Sequence, residues 1–188
     1  MRKLLCFNSI SLDGFFADAR GDMSWAHGGS DDPEFAAFVA GNAGSGGELL
    51  FGRVTYQMMA SYWPSPAAQA SAPEVARGMN AVPKVVFSRT LPRAEWQNTR
   101  LVKEDLVGAV RQLKAGDGAD LVILGSGTII AQLTEARLID EYRVVLCPVV
   151  IGGGRSFFQG NKLGLTLAHS RVFKNGKVLL HYQPKAAA

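Results

Sequence analysis

Three short segments of this chain place glycine, hydroxyl and arginine side chains where a strand stops and a helix begins. In Leu121-Val-Ile-Leu-Gly-Ser-Gly-Thr-Ile-Ile130, four apolar residues of strand type run into Gly125, Ser126 and Gly127, and Thr128 and Ile129 open a helical spacing. Glycine lets the backbone turn tightly and approach a ligand closely. A helix behind such a turn offers unpaired N–H groups and its positive dipole end to a phosphate. Taken alone, the segment is either such a cradle or simply a tight turn. Leu49-Leu-Phe-Gly-Arg-Val-Thr-Tyr56 repeats the arrangement, with Gly52, Arg53, Val54 and Thr55 at the junction. There an arginine fork and a hydroxyl can hold phosphate oxygens. Lys84-Val-Val-Phe-Ser-Arg-Thr90 ends a third strand in Ser88, Arg89 and Thr90. Parallel strands present their C-terminal ends along one edge, where ligands of open α/β sheets bind. Three such ends together point to a dinucleotide.

These residues meet only if the chain between them alternates strands and helices, and its pattern does. Residues 3–10 alternate as a strand, and Ser11 to Ser30 reads as a long polar loop. Asp32-Pro33-Glu34 looks like an N-cap with proline at the first helical position, opening a helix through Asn42. Phe35, Phe38 and Val39 form its apolar face. After a break from Gly41 to Gly47 come a strand at Glu48–Phe51 and a helix from Gly52 through Tyr62, ended by Trp63-Pro64. A proline-, serine- and alanine-rich loop leads to a short helix near Pro73–Asn80. Strands follow at Lys84–Ser88 and Asn98–Val102, then an amphipathic helix at Asp105–Lys114. Leu121–Leu124 is a strand and Thr128–Ala136 its helix. From Asp140 onward only strands remain, at Tyr142–Ile151, Thr166–Phe173 and Val178–Gln183. The last two are joined across Lys174-Asn175-Gly176, an Asn-Gly hairpin signal. The expected architecture is a single α/β domain over residues 1–188, its mostly parallel sheet finished by an antiparallel edge.

Composition removes several function classes. No apolar run reaches the roughly 20 residues of a membrane span, and the stretch from Met1 to Asn8 is too short for a signal peptide. The expected compartment is the cytoplasm. The net charge of +4 is carried by scattered lysines and arginines, which argues against a nucleic-acid partner. Cys6 and Cys147 each sit in an apolar run and read as buried thiols. His27, His169 and His181 have no ligand spacing, so no metal is expected. The last two lie on the strands of the terminal hairpin, as cross-strand neighbours or surface groups. No Gly-x-Ser-x-Gly elbow exists for a nucleophile.

A Rossmann fold carries its glycine fingerprint after the first strand and an acid roughly 20 residues later. Here Gly125-Ser126-Gly127 follows the fifth strand, and Ile130 stands where the third glycine belongs. Arginines at the second and third strand ends favour a 2′-phosphate, hence NADPH. Taken together, Ser11-Leu-Asp-Gly14, Phe51-Gly-Arg-Val-Thr-Tyr56, Gly125-Ser-Gly-Thr128, Ile139-Asp-Glu-Tyr-Arg143 and Pro148-Val-Val-Ile-Gly-Gly-Gly154 resemble the dihydrofolate-reductase-like superfamily. Within it, the chain is most similar to the reductase domain of the bacterial riboflavin-biosynthesis deaminase/reductase, from about Lys3 to Gln183.

The resemblance implies a three-layer fold with an eight-stranded mixed sheet, and an NADPH-dependent reductase that forms a homodimer. By that likeness Gly52, Arg53, Val54 and Thr55 meet the 2′-phosphate and pyrophosphate side. Ser88, Arg89 and Thr90 flank the adenine, and Gly125 through Ile129 cradle the pyrophosphate. The loop from Ser11 to Trp25 closes over the nicotinamide, and Trp25 stands near a small heterocyclic substrate. Asp13 has two readings, a hydrogen bond within its own turn or a group facing the pocket. Asp31 and Asp32 lie near the place of the family's early-helix acid, or they cap the helix. Tyr56 and Met59 are core residues or border the substrate pocket, and Gly152–Gly154 with Arg155 is a phosphate nest or a shaped turn. The resulting expectation is hydride transfer to a C=N or C=O bond of a pyrimidine- or pterin-like substrate, with Asp13, Trp25 and Asp31 as candidate catalytic residues. The proton would come from water or from Asp13 or Asp31. The competing expectation is an NADPH-binding protein without efficient turnover. Riboflavin-type reductases carry a glutamate just before their glycine pair, where this chain has Gly125, so the substrate stays open. No zinc-deaminase motif is present.

Overall fold

The computed structural model describes residues 1–27, 32–43 and 46–185. The chain opens with β1 (Leu4–Ser11), β2 (Phe15–Ala17), a 3-10 turn at Ser24–Ala26, α1 (Pro33–Ala43) and β3 (Glu48–Gly52). It continues with α2 (Arg53–Tyr62), α3 (Pro66–Ser71), α4 (Pro73–Ala81), β4 (Lys84–Phe87), β5 (Thr99–Val102) and α5 (Leu106–Ala115). It ends with β6 (Leu121–Leu124), α6 (Gly127–Glu135), β7 (Glu141–Cys147), β8 (Arg155–Ser156), β9 (Leu165–Val172) and β10 (Val178–Pro184).

Eight strands form one sheet in the order β5-β4-β3-β6-β1-β7-β10-β9. The six from β5 to β7 are parallel, and β10 and β9 close the far edge as an antiparallel hairpin. Both faces are covered, so the central strands read as near-continuous apolar runs. Alternate residues of each strand go to opposite faces. Leu4, Cys6, Leu121 and Ile123 pack with Val110 of α5 and Ile130 of α6. On the other face Leu49, Phe51 and Val86 meet Tyr56 of α2 and Met79 of α4. Farther along that face Val145, Cys147 and Leu179 pack with Phe35 and Phe38 of α1. The result is the three-layer, mostly parallel arrangement that the pattern implies.

Three details depart from the sequence reading. The Ser11–Ser30 stretch is not all loop, because β2 pairs with β8 in a small second sheet. The segment after Pro64 is helical: Ser65 accepts the Ala68 N–H and Pro66 takes the first helical position of α3. The strand from Tyr142 stops at Cys147, not Ile151, since Pro148 has no N–H for the ladder. The hairpin, in turn, puts His169 directly opposite His181. Both cysteines are free and buried. Among the described residues no helix is long and apolar enough to cross a membrane.

Candidate active site

A cleft of about 830 Å³ runs along the C-terminal edge of β3, β4 and β6. That is within the roughly 300–1,000 Å³ of small-molecule sites. All three strand ends singled out by sequence open onto it. Gly52, Arg53, Val54 and Thr55 come from the β3–α2 junction, and Ser88 and Arg89 from the end of β4. Ser126, Gly127, Thr128 and Ile129 come from the start of α6. Gly125 lies one residue behind this wall. Thr90 does not line the cleft; its N–H, like that of Leu91, is spent on the Ser88 hydroxyl in a local turn.

The walls are bonded to one another. Ser126 Oγ accepts the Gly52 N–H at 2.9 Å and donates to the Leu124 carbonyl at 3.2 Å, while Thr55 Oγ1 accepts the Ser126 N–H at 3.1 Å. The Asn8 side chain donates to the Gly125 carbonyl from β1. These bonds hold Ser126 in the left-handed conformation (φ 58°, ψ 51°), one a serine adopts only when its surroundings demand it. Gly125 shares that conformation, and a Cβ there would lie 2.8 Å from Thr55 Cγ2.

The helix ends at this edge differ in a telling way. Asp105 caps α5 itself, accepting the Val107 and Gly108 N–H groups. Neither Gly52 nor Ser126 caps its own helix, the serine hydroxyl being turned to Gly52 instead. The first turns of α2 and α6 therefore present their N–H groups and positive dipole ends to the same cleft. Arg53, Arg89, Lys103 and Arg155 add four cations around it, against Glu104 and the engaged Asp105. Phosphate oxygens and a ribose suit this donor set, so the residues present fit a phosphorylated dinucleotide.

Lys103 and Phe16 were missed by pattern reading, and Arg155 was read only as part of the glycine turn before it. The last two arrive through the β2–β8 pair, whose strands of three and two residues carry no periodicity to detect. Phe16 packs so closely on the first residue of α6 that a Cβ on Gly127 would come within 2.4 Å of its ring.

The three candidate catalytic residues fare differently. Asp31 lies outside the described residues. Its neighbour Asp32 is buried and caps α1, accepting the Glu34 and Phe35 N–H groups as well as that of Asn175 in the β9–β10 turn. Asp13 does not line the cleft: besides the Ser11 side chain of its own turn, the N–H groups of Ile151 (3.3 Å) and Gly152 (2.8 Å) hold its carboxylate. So the turn before Arg155 is fastened at Ile151 and Gly152 by Asp13, which favours the shaped turn over a phosphate nest. The Ser11 side chain foremost, and those two backbone groups after it, hold the Asp13 carboxyl below its usual value. At neutral pH it has no proton to give. Trp25 packs into the Val145–Cys147–Phe173 cluster, and its buried indole N–H has no hydrogen-bond partner among the described residues.

A second, smaller pocket of about 180 Å³ lies on the helix-covered face under α1, α2 and α4. The helix α2 connects the two spaces: Thr55 borders the cleft, and Met59 and Trp63, one and two turns on, line the pocket. Leu124, just before Gly125, lines it as well. Met59 thus borders a cavity, whereas Tyr56 is core, its hydroxyl accepting the Trp96 N–H.

A family model described as the RibD C-terminal domain matches residues 2–179. The uncharacterized protein YyaP of Bacillus subtilis (strain 168) is 26% identical over 185 residues, spanning 96% of this chain and 94% of its own. YwjB of the same organism is 23% identical over 185 residues, with 96% and 97% covered. Among solved structures, a "Putative riboflavin biosynthesis protein" from Shewanella sp. PV-4 superposes with a TM-score of 0.70 at 26% identity, covering 97% of this chain and 99% of that one. A diaminohydroxyphosphoribosylaminopyrimidine deaminase/5-amino-6-(5-phosphoribosylamino)uracil reductase from Thermotoga maritima gives 0.68 at 15% identity, over 98% of this chain and 57% of that one. A pyrimidine reductase-like protein from Corynebacterium diphtheriae gives 0.66 at 14%, covering 99% and 93%. These last two show the shared fold.

Proposed function

This chain belongs to the RibD C-terminal domain family, and from that premise we propose that it is an NADPH-dependent reductase of a small heterocyclic substrate. The observation that carries the reading is the pair of uncapped helix N-termini, α2 and α6, opening on one cation-lined cleft. Arg53, Thr55 and the α6 first turn would hold phosphate oxygens, and Arg89, Lys103 and Arg155 would neutralise their charge. When bound, NADPH supplies a hydride to the carbon of a C=N or C=O bond, and the nitrogen or oxygen takes a proton. With Asp13 ionised and engaged, water is the proton source we assign. The protein's share is orientation and exclusion of water. Phe16 on β2 roofs the α6 end of the cleft, and the pocket under α1 lies next along α2 for the substrate.

The engaged Asp13 also supports a second reading, an NADPH-binding protein without efficient turnover. One experiment separates the two. The full chain is titrated with NADPH by fluorescence and thermal shift, then assayed for NADPH oxidation against dihydrofolate and ribosylaminopyrimidines. Binding with turnover supports the reductase, and binding with none supports the second reading. No response at millimolar NADPH sinks both. The partner we propose for the exposed edge strand β9 is a second copy of this chain.

A further inference from the structure

The pocket under α1 states more about its occupant than the cleft does. Its volume is about 180 Å³, whereas a cavity of roughly 150 Å³ is enough for benzene. It therefore takes a single or small fused ring of about ten non-hydrogen atoms and little more. Its described lining is apolar on nearly every side, with Phe7 and Leu124 from the sheet, Val39 from α1, and Met59 and Trp63 from α2. Two polar side chains interrupt it, Asn42 and Arg143.

Arg143 is held in an unusual way. It stands on β7 beside Phe7 of β1 and opposite His181 of β10. Glu141, 4% exposed, takes a bond from one Arg143 terminal nitrogen at 3.0 Å, and others from Lys3 at 3.0 Å and His181 at 2.8 Å. Glu141 thus faces two permanent cations, of which Lys3 also feels Asp120 and Asp140. The Arg143 side chain is 38% exposed, but its Nε–H is buried and has no hydrogen-bond partner among the described residues. A buried donor left unpaired is costly and is found where a ligand or water completes it. An arginine fork in an apolar wall selects a planar acceptor such as a carboxylate or an amide-like carbonyl edge.

We propose that the substrate is a small, unphosphorylated aromatic or heteroaromatic compound whose ring fills this pocket and whose carboxylate or carbonyl edge is read by Arg143. The assignment rests on the reductase reading, since it makes the pocket the substrate's half of the site. A ribose phosphate on a pyrimidine more than doubles its atoms and adds a dianion. Among the described residues the pocket has neither the room nor a second lining cation for it. The phosphate-binding groups all belong to the neighbouring cleft.

Benzoate is the probe, titrated calorimetrically into the full chain without cofactor, with benzyl alcohol and uridine 5′-monophosphate beside it. The expected result is saturable benzoate binding, at least ten-fold tighter than that of benzyl alcohol and undisturbed by the nucleotide, whose phosphate the neighbouring cleft takes. Arg143→Met weakens it at least ten-fold, and Arg53→Met, in the cleft, leaves it unchanged. Arg143→Lys keeps the charge but not the fork, and serves if the methionine variant fails to fold; an intermediate loss is expected. Absence of benzoate binding to the wild type overturns the proposal. So does binding indifferent to both Arg143 substitutions, or competition between the nucleotide and benzoate for one site. A parallel NADPH titration separates the two levels. If NADPH binds and benzoate does not, only the substrate class falls. If benzoate binds through Arg143 and NADPH does not, the reductase reading falls and the pocket stands.

Discussion

Gly125 meets two constraints at once, a φ of +63° and a Thr55 methyl 2.8 Å from where a Cβ would be. An alanine there strains the backbone and pushes Thr55 off the Ser126 N–H that its hydroxyl accepts. Gly125→Ala should cost about 1–3 kcal/mol of stability and weaken NADPH at least ten-fold, read by urea melts and fluorescence titration. Thr55→Ser removes the methyl and keeps the hydroxyl, so the double variant should recover part of the loss; strain from φ alone would recover nothing. Asp13 allows a different separation. A general acid contributes roughly 10²–10⁴-fold to a rate, while a clamp on the Ile151–Gly152 turn acts on the placement of Arg155. Asp13→Asn should leave kcat within about three-fold and raise KM for NADPH; a hundred-fold fall in kcat would restore Asp13 as the proton donor. The clamp from Asp13 to Ile151 and Gly152 was beyond the sequence, because those two partners lie far along the chain.

Among the elements, helix caps tell the cleft edge apart from its surroundings. Asp105 closes the N-terminus of α5, so Asp105→Ala should cost about 1 kcal/mol without lowering NADPH affinity. A drop in affinity would mean that α5 holds phosphate too. Across β7 and β10, Glu141 joins Lys3, Arg143 and His181. Burial alone would raise its carboxyl, but hydrogen bonds from Lys3 and Arg143 and the charges of His181 and Arg143 outweigh it, leaving it below 4.5. Its stabilisation is therefore complete above about 4.5 and drains as the pH falls through the lower folded value. Denaturant melts of wild type and Glu141→Gln should converge below that pH, and a constant gap would contradict the linkage. Legibility follows the same physics. The strand–turn–helix junctions at Gly52 and Gly125 are local chemistry and were read correctly. Helix α3 was also local, in its Ser65-Pro66 start, but its alanine and proline content masked it. Helix α1 was read through its Asp32-Pro33 start and its phenylalanine face. Strands β2 and β8, and with them Phe16 and Arg155, exist only through each other. The pocket at Arg143 needs α1, α2, α4 and the sheet together, and no single window of sequence contains it.

Over the whole molecule, one sheet edge is left open. Every residue of β9 after Leu165 is exposed, with Leu167 at 50% and Val172 at 72%, and its outer backbone faces solvent. Such an edge invites a second strand. Sedimentation should give a dimer, and Leu167→Glu should shift it to monomer; a wild-type monomer at micromolar concentration would remove the proposed second copy. The sheet order has a further consequence, for how the chain comes off the ribosome. β1 lies between β6 and β7, with Leu4 beside Leu121 and Leu5 beside Glu141. At about 5–20 residues per second, the first strand made waits on the order of ten seconds for either neighbour. Through that interval Leu4, Leu5 and Cys6, all buried in the finished fold, are bare hydrophobic chain, the natural hold for a chaperone. Nascent chains stalled before residue 121 should be chaperone-bound and protease-sensitive, and those stalled beyond residue 184 should be released.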